Sequence, residues 1–341
     1  MVYTRMEEFF DTWTTRLEEH MYLFSIPAIL INLVHISILS QKTMTSSAVT
    51  SLLIGIAVVD IISPIFYVKV GVRDLVFAGP CTPPRGYYET VFNWILLAIR
   101  DNTRRCSTWF GLEMAAIRMF SLKLAMRKRF NFITEPPFGL KTILATVVLS
   151  LSISVFYLFR YTIVPDPDWI LIPGCPQTST IQYMVDEIEK AAMVDAREFH
   201  LVLTAIFEKM IPSILFPMIT VVLICELGKA RKLVEDARKA STSVRKTEKT
   251  NKLVIHMAIT FTIIELPIGI CKLITAAEDT YEDAVIAESL TKLLNMIYVP
   301  MTATHCVICY KMSSQYRDTV RKFLGLKSSS VNPTSSMATS H

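Results

Sequence analysis

Seven apolar blocks constrain this chain more than any other feature. They run at about residues 21–40, 48–70, 91–125, 140–159, 200–226, 253–276 and 287–310. Each is close to the roughly twenty residues that a helix needs to cross about 30 Å of hydrocarbon. The third and fifth are interrupted by charge. Charged residues make up 19% of the 341 positions, below the roughly one quarter usual in soluble domains. The expected fold is an all-α membrane protein, a bundle of seven transmembrane helices. Residues 1–20 are acidic and polar, without the charged and apolar regions of a signal peptide.

The loops orient the bundle. Segments that follow spans 1, 3, 5 and 7 hold twenty Lys and Arg residues, among them Lys123, Arg127, Arg129, Lys229, Arg238, Lys252, Arg317 and Lys327. The opposite side holds seven: Arg5, Arg16, Arg73, Arg85, Arg160, Lys190 and Arg197. Basic loops stay in the cytosol, so the N-terminus is expected outside and the tail inside. The outer side carries acids, Glu7, Glu8, Asp11, Glu18 and Glu19 before span 1 and Glu278, Asp279, Glu282 and Asp283 before span 7. They form a solvated surface or steer cationic ligands to the mouth.

The organisation then reads as an extracellular tail (1–20), a transmembrane domain (21–310), an interfacial helix (311–327) and a disordered cytosolic tail (328–341). In the third segment Tyr316, Val320, Phe323 and Leu324 recur at helical spacing between basic residues, the pattern of a helix on an anionic leaflet. Of seven cysteines, only Cys81 and Cys175 fall on the outer, oxidising side, and a bridge between them is expected. Cys106, Cys225, Cys271, Cys306 and Cys309 read as small buried side chains. Pro27, Pro64, Pro212, Pro217 and Pro267 read as helix kinks.

Charge inside a span is expensive and faces the protein interior. Arg100 and Arg118 are eighteen residues apart, five turns of 3.6, so both point the same way about 27 Å apart. Arg104 lies near that line, and Asp101 with Arg105 forms an i,i+4 pair. Arg100, Asp101 and Arg104, with Glu265 and Lys292, are candidate ligand-pocket residues. The arginines make either a floor for a carboxylate or other anion, or an internal ion-pair network with Asp101, Glu208, Glu265 or Glu113.

The stretch Arg104-Arg105-Cys106-Ser107-Thr108-Trp109, followed by Met114-Ala115 and Ile117-Arg118, and the later Met312-Ser313-Ser314-Gln315-Tyr316-Arg317 resemble nematode serpentine receptors of class W. That group is similar to FMRFamide-type neuropeptide receptors of the rhodopsin-like superfamily. The resemblance implies a rhodopsin-like G-protein-coupled receptor, with Arg118 as the cytosolic switch for the G protein. It implies an activation core of Asn32, Asp60, Ser107, Phe261, Pro267 and His305, and a sodium ion at Asp60 and Ser107. Three positions depart from the pattern. Ile117 stands where an acid is usual beside the arginine, Glu265 replaces the tryptophan of the span-6 hinge, and His305-Cys306-Val307-Ile308-Cys309 occupies the place of the span-7 Asn-Pro-x-x-Tyr motif.

A receptor for an extracellular neuropeptide is therefore the first expectation, and a chemosensory receptor for an environmental small molecule the second. A transporter or channel using Asp60, Arg100, Arg104 and Glu265 as a polar path is the alternative of another class. Inverted repeats, a mark of many transporters, are not visible. Neither are the Gly-rich, zinc or nucleophile motifs of enzymes. Expected partners are the ligand, a heterotrimeric G protein, arrestin at the Ser/Thr-rich tail and the lipid bilayer, with no nucleic acid and no cofactor.

Overall fold

The structure is a computed structural model that describes residues 12–14, 16–77, 79, 81–123, 128–170, 174–175, 181–187, 202–236, 242–277 and 281–326. Glu7, Glu8, Asp11, Arg127, Arg238, Lys239, Glu278, Asp279 and the 328–341 tail lie outside the described residues. Helix α1 is Tyr22–Leu39. Span 2 is two helices, α2 (Ala48–Ile62) and α3 (Ile65–Val76), separated at Ser63-Pro64 because proline has no N–H to continue the ladder. The Ser47 side chain accepts the Thr50 N–H at 3.3 Å and caps α2. Helix α4, Tyr87–Lys123, is about 55 Å long at 1.5 Å per residue, longer than hydrocarbon is thick.

A 3₁₀ turn (Lys128–Thr134) leads to α5, Pro136–Arg160, whose first prolines use positions where a helix needs no N–H. Strands β1 (Tyr161–Pro165) and β2 (Tyr183–Glu187) pair antiparallel, Tyr161 opposite Glu187 and Pro165 opposite Tyr183. Hydropathy gives no sign of this hairpin, which is too short to show as an apolar block. A disulfide joins Cys175, between the strands, to Cys81, between α3 and α4.

Span 5 opens with a π-helical segment, Thr204–Met210, and continues as α6, Ile211–Asp236. Then come α7 (Thr242–Ala277), α8 (Tyr281–Thr302), α9 (Thr304–Met312) and α10 (Ser314–Phe323). Between α8 and α9 the chain bends by 42°, just after Pro300.

Among the described residues, five helices are apolar and long enough to cross a membrane, and the bent α8–α9 pair makes a sixth. The seventh rod, α4, fails that test through its own charges: Arg100, Asp101, Arg104, Arg105, Glu113 and Arg118 sit along its length. It is also the central rod, in contact with α2, α3, α5, α6 and α7 and with the hairpin. Its charges are therefore shielded by neighbours rather than offered to lipid, as intramembrane charge requires. Around it lies one apolar core that includes Leu52, Ile56, Phe110, Met114, Phe216, Leu223, Phe261 and Ile268. Outward faces stay apolar and uncovered; Leu149 is 70% exposed, as suits a surface solvated by lipid.

Two expectations change here. Tyr316 turns off the apolar face of α10 into the bundle, where it is buried against His35 of α1; Phe323 and Leu324 remain exposed. Cys225 is exposed rather than buried, because it falls on the outward face of α6.

Helices α2 and α5 touch through backbone. A Cβ on Gly139 would come 2.7 Å from the Ala48 carbonyl oxygen, whereas one on Gly228 meets nothing within 4 Å. Gly139→Val should lower the thermal unfolding midpoint, with an overpacking cost of about 1–3 kcal/mol. Gly228→Val should leave the midpoint within about 0.5 kcal/mol of the parent, as surface changes usually do.

Candidate functional site

The charges of α4 meet partners from the π-helical segment and from α7. Arg105 donates to Glu208 from Nε and Nη2, both at 3.1 Å, and to the Ser150 carbonyl at 2.8 Å. Lys209 reaches Glu208 at 3.0 Å and Glu265 at 2.6 Å. Thr108 Oγ1 donates to Glu265 at 3.4 Å. The ion pairs are almost wholly desolvated, with Arg105, Glu208, Lys209 and Glu265 side chains at most 5% exposed. They tie α4, span 5 and α7 into one network at the hairpin half of the bundle.

This arrangement needs the π turn. On an ordinary helix Glu208 and Lys209, consecutive residues, would point about 100° apart. The wider i→i+5 turn, marked by the Ile211 N–H bonding the Ile206 carbonyl, lets both side chains enter the bundle. Pro212 follows at once and supplies no N–H. Gly269 completes the fit, because a Cβ there would lie 2.9 Å from the Lys209 Cβ. One turn earlier on α7 stands Glu265.

The expected pocket residues take different partners. Arg100 pairs with Asp101 at 3.0 Å and lies over the rings of Phe66 and Tyr67, at 5.4 and 5.7 Å. The expected Asp101–Arg105 pair is not formed: Arg105 is taken by Glu208, a buried carboxylate on a facing helix. Arg104 lies 4.4 Å over the Tyr298 ring. Lys292 stands apart; it pairs with Glu288 at 3.3 Å and is 38% exposed. Lys209 and Tyr298 join the site without having been singled out from sequence. Their only signal is a charge pair, Glu208-Lys209, inside an apolar block three residues before Pro212.

Toward the hairpin end lies a cavity of about 1060 Å³ lined by Glu18, Glu19, Tyr67, Asp74, Arg85, Asn93, Trp94 and Tyr183. Asn93 Oδ1 and Trp94 Nε1 have no hydrogen-bond partner among the described residues. Tyr67 connects this vestibule to Arg100, at 3.4 Å.

A second polar cluster lies further along α4. Ser107 Oγ donates to Asp60 Oδ1 at 2.9 Å, and His305 Nδ1 is 3.2 Å from Asp60 Oδ2. Phe261 packs on His305, with ring centroids 5.6 Å apart, and stacks on Phe216. Pro267 sits within α7, two residues after Glu265. Asn32 is buried but does not join Asp60; its amide donates to its own helix at Ala28, 3.1 Å away. The fit to sodium is poor. Ser107 already contacts one oxygen of Asp60 and His305 the other, and the imidazole brings a ring nitrogen where a sodium site calls for oxygen ligands.

Near the opposite end, Arg118 has no acidic partner among the described residues, and its Nε makes no hydrogen bond. Its neighbour Ile117 is buried in the apolar core. Glu113 accepts from Thr146 of α5, so it does not serve as the missing acid. At the base of α1, Tyr316 lies 2.7 Å from His35 Nδ1 and 3.4 Å from Cys306 Sγ. Burial, with Cys306 adding, pushes the Tyr316 phenol above its ordinary range, so it keeps its proton and can donate to His35.

Lys209 is the hub of the ion network, so its removal should be severe. Lys209→Met leaves Glu265 buried without its cation and should cost about 3–5 kcal/mol. Adding Glu265→Leu removes the stranded charge and should restore more than half of that loss, measured as the thermal midpoint of single and double variants.

No curated protein matches the chain. The sequence profile described as serpentine type 7TM GPCR chemoreceptor Srw matches residues 19–327, nearly the full length and all seven rods. That profile describes a receptor family and not an enzyme family. The chain belongs to the Srw family of serpentine seven-transmembrane G-protein-coupled chemoreceptors.

Proposed function

We propose that this multi-pass membrane receptor binds a neuropeptide at its hairpin end and signals through a heterotrimeric G protein at its Arg118 end. The loop charges support an orientation with the N-terminus and the hairpin outside and the C-terminus in the cytosol. The observation that carries the reading is the polar line along α4. It passes from Arg100 at the vestibule, through Arg105 and its ion network, to Ser107 with Asp60 and His305, and ends at Arg118, which has no acidic partner among the described residues. One rigid rod thus touches each region that a ligand-driven switch must link.

On this reading Arg100, Asp101, Arg104 and Glu265 form the pocket floor, with Lys292 at its margin. Asp60, Ser107, Phe261 and His305 form the core that repacks as α7 moves about Pro267; Asn32 supports α1 beside it. Ligand binding favours the arrangement in which a cytosolic cleft opens beside Arg118. The divisions at 1–20, 21–310, 311–327 and 328–341 then have separate roles: outer tail, transmembrane domain, leaflet-lying helix and a tail for arrestin. The vestibule, about 1060 Å³, is at the upper limit for small-molecule pockets, and its acids suit basic side chains of a peptide. An environmental small molecule is the second reading, favoured by the chemoreceptor description of the family.

Arg118→Ala should reduce ligand-stimulated nucleotide exchange on a purified G protein at least tenfold, with surface expression unchanged. Ligand-dependent current or flux in the absence of a G protein would instead support a channel or transporter.

A further inference from the structure

We propose that the ligand carries a carboxylate and that Arg104 receives it. This rests on the receptor reading and names the ligand class of the same site. Arg104 is 6% exposed, and the Tyr298 ring covers the face of its guanidinium. Its Nε and Nη2 have no hydrogen-bond partner among the described residues. These two nitrogens form one edge of the planar fork, the edge that grips a carboxylate with two parallel hydrogen bonds. A buried donor left idle is costly, and each such group calls for an explanation.

Nearby carboxylates are already engaged. Asp101 is held by Arg100, Glu208 by Arg105 and Lys209, and Glu265 by Lys209. With Arg104 and Lys272 added, five cations among the described residues face these three carboxylates and Glu18, which is within electrostatic reach of Arg100, a surplus of one positive charge. Lys272 stands 3.8 Å from Glu208 and within electrostatic reach of Asp101 and Arg104. An uncompensated charge in a low-dielectric site is costly, and an anion that joins it offsets the cost.

The site is also reachable. The Asp101 and Lys272 side chains are within electrostatic reach of one another and remain 39% and 27% exposed, so this part of the α4–α7 contact is not sealed. Arg100, one turn nearer the hairpin, touches Tyr67 in the vestibule wall. Arg104 lies one helical turn, about 6 Å, beyond Arg100 along α4. The carboxylate belongs either to the free C-terminus of a peptide or to a small organic acid.

The test uses the full chain in lipid nanodiscs and its thermal unfolding midpoint. The probes are hexanoate, phenylacetate and a pool of tetrapeptides with free C-termini, each set against its carboxamide. Acids should raise the midpoint and amides should not. A shift from the small acids assigns an environmental acid, and a shift confined to the peptides assigns a peptide C-terminus. Arg104→Gln should weaken acid binding at least tenfold. Lys272→Gln, at a part-exposed position that leaves the core intact, should weaken it about threefold or more. The proposal is overturned if amides act like acids, if no acid shifts the parent, or if the acid shift survives in these variants. Nucleotide exchange on a G protein, measured on the same preparations, separates the two claims. Acid binding without any exchange contradicts the receptor reading alone, and exchange driven only by amides contradicts the carboxylate alone.

Discussion

Lys209 and Glu265 lie 2.6 Å apart in a place that neither water nor lipid headgroups reach. Much else in the bundle is arranged so that this pair, and the Arg105–Glu208 pair beside it, can exist. Charge buried at this depth is tolerated only when opposite charge and hydrogen bonds meet it fully. That requirement brings α4 to the centre, opens the π turn before Pro212 and places glycine at position 269. Hydrophobic association cannot do the same work within hydrocarbon, because lipid tails are as apolar as leucine. Packing holds the rods together, and the charges select how they are turned.

The same logic links this network to the Asp60 cluster. Ser107 and Thr108 are adjacent on α4, one bonded to Asp60 and the other to Glu265. A small rotation of α4, the helix that both contacts share, would stretch them together. His305 takes one oxygen of Asp60 and the face of Phe261, in the segment where the wider superfamily has a different motif. On the proposed reading, movement of Phe261 with α7 reaches α9 through His305. The absence of an acid before Arg118 fits this view, since the resting arrangement then depends on contacts deeper in the bundle.

Much of the architecture is legible in the sequence because hydrocarbon imposes a simple rule on block length. The seven apolar blocks become seven rods, and Pro64 marks the break of span 2. The inward orientation of the α4 charges is legible too, since a five-turn spacing fixes their common side. What escapes is whatever depends on a departure from regular helix. Lys209 is not singled out by the helical period, and it meets Glu208 and Glu265 from a π-helical segment that hydropathy does not announce. Arg105 finds Glu208 rather than Asp101 because a partner across the bundle excludes solvent better than one on the same helix. The hairpin is too short for its five-residue strands to stand out. Asn32 bonds its own backbone, an outcome open to any buried amide near a free carbonyl.

On the proposed reading, ion pairs near the hairpin end set the position of α7 at the opposite end. Spin labels at Phe120 of α4 and Ile259 of α7, both outward-facing, with the exposed Cys225 replaced, would report that spacing by pulsed electron resonance. Lys209→Met, whose contacts lie on the hairpin side of both labels, should shift or broaden the distance distribution. An unchanged distribution in a folded Lys209→Met protein would contradict it.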